Sequence, residues 1–306
     1  QPARGTGPGS HARAGGVSVN APLPSLRIGR HVLRVPIVQG GMGVGISRWR
    51  LSGAVARHGG MGTLAAQGLG QVTDLVPRSD KRKDPHGLDA VKAEIRRARE
   101  VAAGNGVVAI NIMMAISHFD ALVDAAVEAG VDAIVTGAGL PMDLPHKVKD
   151  ARVALVPIVS SARAARSITR YWADQYGRVP DALVVEGPLA GGHLGFTAEQ
   201  VDAPEYQLEP LVRGIVDAVK EYGDVPVIAA GGIWDRADVD RALSWGARAV
   251  QLGTRFVATH ECDAAEHFKQ LLLRCRPEDI TVTRTSVGLL GRVMRTPLIQ
   301  RFEAGS

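Results

Sequence analysis

Beyond residue 34 the chain alternates between two hydrophobic patterns. Short runs of β-branched and small apolar residues give way to longer stretches whose apolar positions return every three or four residues. The short runs are Val35–Val38, Gly62–Ala65, Val107–Ile112, Ala133–Val135, Val153–Ile158, Ala182–Val185, Val225–Ala229 and Ala249–Gln251. Most are apolar throughout, as in strands covered on both faces. The longer stretches predict helices over Arg48–His58, Leu88–Ala103, His118–Ala129, Met142–Asp150, Ser161–Gln175, Leu208–Tyr222, Arg236–Trp245 and Asp263–Leu273. Ser161 and Asp235 stand where N-caps are expected, Gly59 and Gly130 where helices should stop. Parallel strands need such crossovers, and eight units can close into a barrel. The fold class expected is therefore α/β, a (β/α)8 TIM barrel over residues 35–275. An open doubly wound sheet is the alternative. Its GxGxxG signal can be sought in Gly40–Gly45, but Thr63–Ala66 is followed by Gln67 and not by the acidic residue such a site needs. Eight regular units favour the barrel.

Two segments break the repeat: the polar Gly68–His86, read as a surface excursion or lid, and Phe196–Tyr206, placed to cover a pocket. A C-terminal extension, Pro277–Ser306, contains Ser286-Val287-Gly288 and Gly291-Arg292. The expected organisation is a flexible basic tail over residues 1–25 and one barrel domain over residues 26–306. The net charge of +5 resides in the first 34 residues, which hold Arg4, Arg13, Arg27, Arg30 and Arg34 and no acid; the rest is balanced. A nucleic-acid binder needs a basic face on the folded body, so no nucleic-acid partner is expected. With 45% hydrophobic and 22% charged residues, disorder is excluded for most of the chain. No apolar run reaches the roughly 18–20 residues that cross a bilayer, and the first sixteen residues lack a secretory apolar stretch. Cys262 and Cys275 are too few for a disulfide framework. They read as helix-face and terminal-helix residues, and a cytoplasmic setting is expected.

In a barrel, chemistry gathers at the C-terminal ends of the strands. Those ends read Gln39-Gly40-Gly41-Met42, Asn111-Ile112-Met113, Thr136-Gly137-Ala138-Gly139, Ser160-Ser161, Glu186 through Gly191-Gly192-His193, Ala230-Gly231-Gly232-Ile233, and Gln251-Leu252-Gly253-Thr254-Arg255. His193 follows two glycines at a strand mouth, where few apolar neighbours can bury it, and histidine is the usual acid or base at neutral pH. The glycines after the last two strands suit a phosphate cradle. No lysine falls at a strand end, so a Schiff-base aldolase is not expected. Neither cysteine has a base beside it, and the mouth has too few ligands for a metal. A phosphate-bearing redox cofactor is the natural carrier of chemistry for such a mouth.

These motifs resemble the nitronate monooxygenase (2-nitropropane dioxygenase-like) family. Pro36 to Met42, Ala54-Val55-Ala56 before Gly59-Gly60-Met61-Gly62, Val107 to Asn111, Thr136 to Gly139, Glu186 to His193, Ala229 to Ile233 and Gln251 to Phe256 carry the resemblance, over roughly residues 26–300. The pattern is also similar to the flavin-dependent enoyl-[acyl-carrier-protein] reductases and to a group of NADH:quinone reductases. The resemblance implies an FMN-binding barrel. Gln39, Gly40, Gly41 and Met42 would line the isoalloxazine ring, with Asn111 and Thr136 nearby and Gln251 beneath. Gly191 and Gly192 would approach the flavin, and Gly231, Gly232, Gly253 and Thr254 would hold its phosphate. Glu186 matches a carboxylate near the ring or ribityl chain, and His193 the family base or proton donor. Leu194 stands where many of these enzymes have arginine, and the further cysteines that some relatives carry do not follow Cys275.

The leading expectation is an FMN-dependent monooxygenase of alkyl nitronates with His193 as base. The alternative is an NAD(P)H-dependent FMN reductase of an enoyl thioester or a quinone, whose partner in the first case would be an acyl carrier protein. A barrel kept as a ligand-binding module needs the cradle but not His193. Symmetric dimers are the default for soluble enzymes.

Overall fold

The computed structural model describes residues 22–285 and 288–304, so most of the expected basic tail, and Ser286 and Val287, lie outside the described residues. The chain enters through a hairpin absent from the sequence reading, β1 (Leu26–Ile28) and β2 (His31–Leu33). Then come β3 (Ile37–Gln39), β4 (Met61–Ala65), β5 (Val107–Met113), β6 (Ala133–Gly137), β7 (Ala154–Val159) and β8 (Leu183–Glu186). The short β9 (Gly192–His193) follows, and then β10 (Val227–Ala230), β11 (Ala249–Leu252), β12 (Ile280–Arg284) and β13 (Leu290–Met294). Strands β3 to β8 with β10 and β11 close into a barrel in which every neighbour is parallel. The TIM barrel expected from the alternating pattern is the fold.

Two apolar layers divide the strands by parity. Val38, Met61, Val107, Ala109, Ala133, Val135, Val156, Val184, Ile228 and Ala249 pack together inside the barrel. Leu64, Val108, Ile110, Ile134, Leu155, Leu183, Val185, Val227 and Val250 face outward, against the helices. Burial on both faces explains why these strands read as continuous apolar runs. Leu26, Ile28 and Leu33 of the hairpin are 0–1% exposed and join the inner layer. They plug the end of the barrel opposite the strand mouths.

The helices begin and end where their capping residues dictate. Ser161 Oγ accepts from Ala164 N at 3.2 Å, and Asp235 Oδ1 accepts from Asp238 N at 3.0 Å. Gly59 and Gly130, with φ of 92° and 80°, stand just past their helix ends. The helix Trp49–Arg57 lies so close to β4 that a Cβ on Gly62 would stand 1.8 Å from Ser52 O. Only glycine admits that approach.

Segment 68–86 is more than a polar excursion. It forms the short helices Leu69–Val72 and Arg78–Lys81, and both Leu69 and Thr73 are buried. Thr73 Oγ1 donates to Glu94 Oε1 at 2.6 Å. The second excursion buries Phe196 and Val201, and Leu194 just ahead of it is buried as well. Leu194 N donates to Leu290 O at 2.8 Å, which ties it to the C-terminal hairpin. The two cysteines are free and flank the helix Glu266–Arg274, which starts later than the sequence pattern suggests; Cys262 lies buried in the loop before it.

Candidate active site

Residues paired across a parallel sheet point to the same face, so the register decides which strand-end side chains reach the barrel mouth. Asn111 pairs with Ala65 and Val135, Gln251 with Val38 and Ala230, and Glu186 with Ala230. All lie on the inner face. The top polar layer of the barrel is therefore Asn111, Glu186 and Gln251. The backbone of Gly40 and Gly41 crosses beside two of them. A Cβ on Gly41 would stand 2.5 Å from Asn111 Cβ, and one on Gly40 would stand 3.2 Å from Gln251 Cδ. Met42 borders the last strand end, its Sδ 3.5 Å from where a Cβ on Gly253 would be.

Gln39 and Thr136, expected beside a flavin ring, point the other way. Gln39 pairs with Leu252 and Gly62, and Thr136 with Ile112 and Pro157, all on the outer face. Gln39 is fully buried. Its Nε2 donates to Ser47 Oγ (2.8 Å), to Thr63 O (3.1 Å) and, closer still, to Gly40 O; its Oε1 accepts from Thr63 N at 3.0 Å. This side chain shapes the Gly40-Gly41 turn from behind. Thr136 Oγ1 is buried without a hydrogen-bond partner. Both corrections have one cause: a residue at a strand end is on the mouth side only if its parity is inward.

Glu186 has no hydrogen-bond or ion-pair partner among the described residues. Loss of hydration raises its carboxyl to about 7. A carboxyl tuned to that range can give or take a proton at neutral pH.

His193 is exposed and lies on β9, opposite Gly291 of β13. The loop ahead of it is held by Arg292, whose Nε donates to Pro188 O at 3.1 Å. Sequence reading had no signal for this clasp, since the two residues are far apart in the chain. Three strand-end loops meet here. A Cβ on Gly191 would stand 3.5 Å from Thr254 Oγ1, and one on Gly231 would stand 2.9 Å from Ala190 N. Gly231 and Gly232, with φ of 103° and 73°, turn the chain in a way that favours glycine. With Gly253 and Thr254 they bring backbone N–H groups and a hydroxyl to one rim, a donor set suited to an anion.

Ser47 is a further supporting residue that sequence reading missed. Its Oγ accepts from Met42 N at 2.9 Å and donates to Gly40 O at 3.2 Å. Among the described residues no group of three or more His, Cys, Asp or Glu is placed to hold a metal ion. No described helix is long and apolar enough to cross a membrane.

Comparison with known proteins follows the same lines. The family model described as nitronate monooxygenase matches residues 25–305. A (3aS,4S,5R,7aS)-5-hydroxy-7a-methyl-1-oxo-octahydro-1H-indene-4-carboxyl-CoA dehydrogenase of Mycobacterium tuberculosis is 29% identical over 89% of this chain. The match spans 66% of that dehydrogenase, just under two thirds of its length. A probable nitronate monooxygenase of Staphylococcus saprophyticus is 28% identical over 88% of this chain and 78% of its own. The solved structure of FabK from Thermotoga maritima superposes with a TM-score of 0.70 at 29% identity, covering 88% of this chain and 74% of that one. The barrel, the glycine-rich mouth and the family match over residues 25–305 agree: the chain belongs to the nitronate monooxygenase family, a family of oxidoreductases.

Proposed function

We propose that this chain binds FMN across the barrel mouth and oxidises alkyl nitronates with molecular oxygen. The inward polar layer carries the reading. Gly40 and Gly41 leave a flat backbone face between two amide side chains, Asn111 and Gln251, that can both donate and accept. A flat heterocycle with N–H and C=O groups on its edge fits that face. The glycine rim of Gly231, Gly232 and Gly253, with Thr254, fits a terminal phosphate. Gly191 and Gly192 close the side nearest His193 without side chains. FMN, when bound, supplies the electron acceptor. Glu186, held near neutrality by burial, places no full negative charge beside an anionic substrate. His193 takes the proton from the carbon next to the nitro group of a neutral nitroalkane, and its exposure lets that proton pass to water.

Two measurements test this. The purified protein should show a flavin absorbance that NADH leaves oxidised under nitrogen; a protein that holds no flavin and takes up none when FMN is added overturns the reading. His193→Asn should lose turnover of neutral nitroalkanes and keep most of it on preformed nitronates. Equal loss on both would remove the base role.

A second reading rests on the rim formed by Leu189, Trp234 and Arg255, which exceeds what a small nitronate needs. In it NAD(P)H reduces the flavin, and the substrate is a larger acyl thioester, carried by coenzyme A or by an acyl carrier protein, or a quinone. The similarity to a CoA-thioester dehydrogenase and to FabK supports it. Rapid bleaching of the flavin by NADH would select this reading over the first.

A further inference from the structure

Trp234 and Arg255 take no part in the mouth described above, yet they form an ordered feature at its edge. Trp234 follows the double glycine after β10 and is 55% exposed. The Arg255 guanidinium, from the short helix after β11, lies 4.6 Å from the indole centroid. The Trp234 backbone is fixed: its N–H donates to Asp238 Oδ2 at 2.7 Å, the carboxylate that also accepts from Asp235 N. Leu189, 54% exposed, extends the apolar surface, its Cδ1 2.8 Å from where a Cβ on Gly232 would be. Arg241, on the helix that follows Trp234, is neutralised by Asp238. Arg255 has no acidic partner among the described residues. One rim thus offers a flat aromatic face, an aliphatic neighbour and a cation without a counter-charge.

We infer that this rim docks the adenosine-phosphate end of a nucleotide-bearing co-substrate, with the base against Trp234 and Leu189 and a phosphate on Arg255. Planar heteroaromatics stack on indole, and a guanidinium held in place pairs with phosphate at little entropic cost. The inference rests on the second reading above, since both coenzyme A thioesters and pyridine dinucleotides carry an adenosine phosphate.

The test is calorimetric titration of the FMN-loaded protein with adenosine 3′,5′-bisphosphate, adenosine 2′,5′-bisphosphate and ADP, with flavin content read by absorbance in the same samples. At least one nucleotide binds. Trp234→Ala weakens it about tenfold, and Trp234→Phe stays within about threefold. Arg255→Gln costs about tenfold and flattens the salt dependence. Preference for the 3′,5′-bisphosphate identifies a coenzyme A thioester, for the 2′,5′-bisphosphate NADPH, and equal binding of ADP NADH. Trp49→Phe, away from the rim, leaves the affinity unchanged. The inference is overturned if the wild type binds none of the three or if Trp234→Ala binds as tightly. It is also overturned if Arg255→Gln sheds FMN while nucleotide affinity holds, which would make Arg255 a ligand of the cofactor phosphate. Nucleotide binding by a protein that holds no flavin would leave this site standing and refute the flavin reading alone.

Discussion

Glu186 shows how a single residue is set by its surroundings. Its carboxyl is raised to about 7 by burial, above the ordinary 4.5. The folded chain therefore binds a proton that the unfolded chain has released, and stability falls as pH rises from the unfolded value through 7. Glu186→Gln removes that dependence. The variant should match wild type below pH 4 and exceed it above pH 8 by about 2–3 kcal/mol, read from urea melts across that range. A wild-type stability that is flat from pH 5 to 8 would contradict the assignment. At this scale the sequence pointed correctly to strand ends: Asn111, Glu186 and Gln251 all face the mouth. Gln39 and Thr136 do not, because one step along a strand reverses the side chain. A continuous apolar run carries no alternation from which that parity can be read.

The element that sequence reading missed most completely is the β1–β2 hairpin. Three residues per strand is too short to show a period, so the start of the barrel domain carried no strand signal. Yet Ile28 is fully buried among the inner strand residues. Ile28→Ala should cost about 2–5 kcal/mol through lost burial and the cavity left behind. The loss should appear as a lower denaturant midpoint. A comparable truncation that left stability untouched would show that the hairpin is not part of the cooperative core. The β9–β13 pairing was equally illegible. Gly192 and Arg292 meet only because the C-terminal hairpin returns across the mouth, and no local pattern encodes a contact of that range.

Across the whole molecule, a buried charge network couples the mouth loop to the outer layer. Arg48 Nε donates to Glu94 Oε1 at 3.0 Å, and Trp49 N donates to Glu94 Oε2 at 2.9 Å. Arg48 also pairs with Asp74, and Thr73 closes on Glu94. The network thus joins the start of the helix Trp49–Arg57, the helix Leu88–Ala102 and segment 68–86. Glu94 is completely buried, so breaking its pair removes the buried counter-charge of Arg48 and leaves it the exposed Asp74 and, at 4.0 Å, Asp263. Glu94→Gln should lower stability by about 3–5 kcal/mol, measured by denaturant unfolding, and little of the loss should be recovered at high salt because a buried pair is poorly screened. The amino-acid sequence by itself determined the barrel, since eight apolar runs alternating with amphipathic helices have few other ways to bury both strand faces. It also determined the polar and glycine residues at the strand ends, because strand ends are local. Which of those side chains turn inward, what plugs the barrel, and what holds the His193 loop were decided only in the tertiary structure, where strand register and contacts between distant residues place each group.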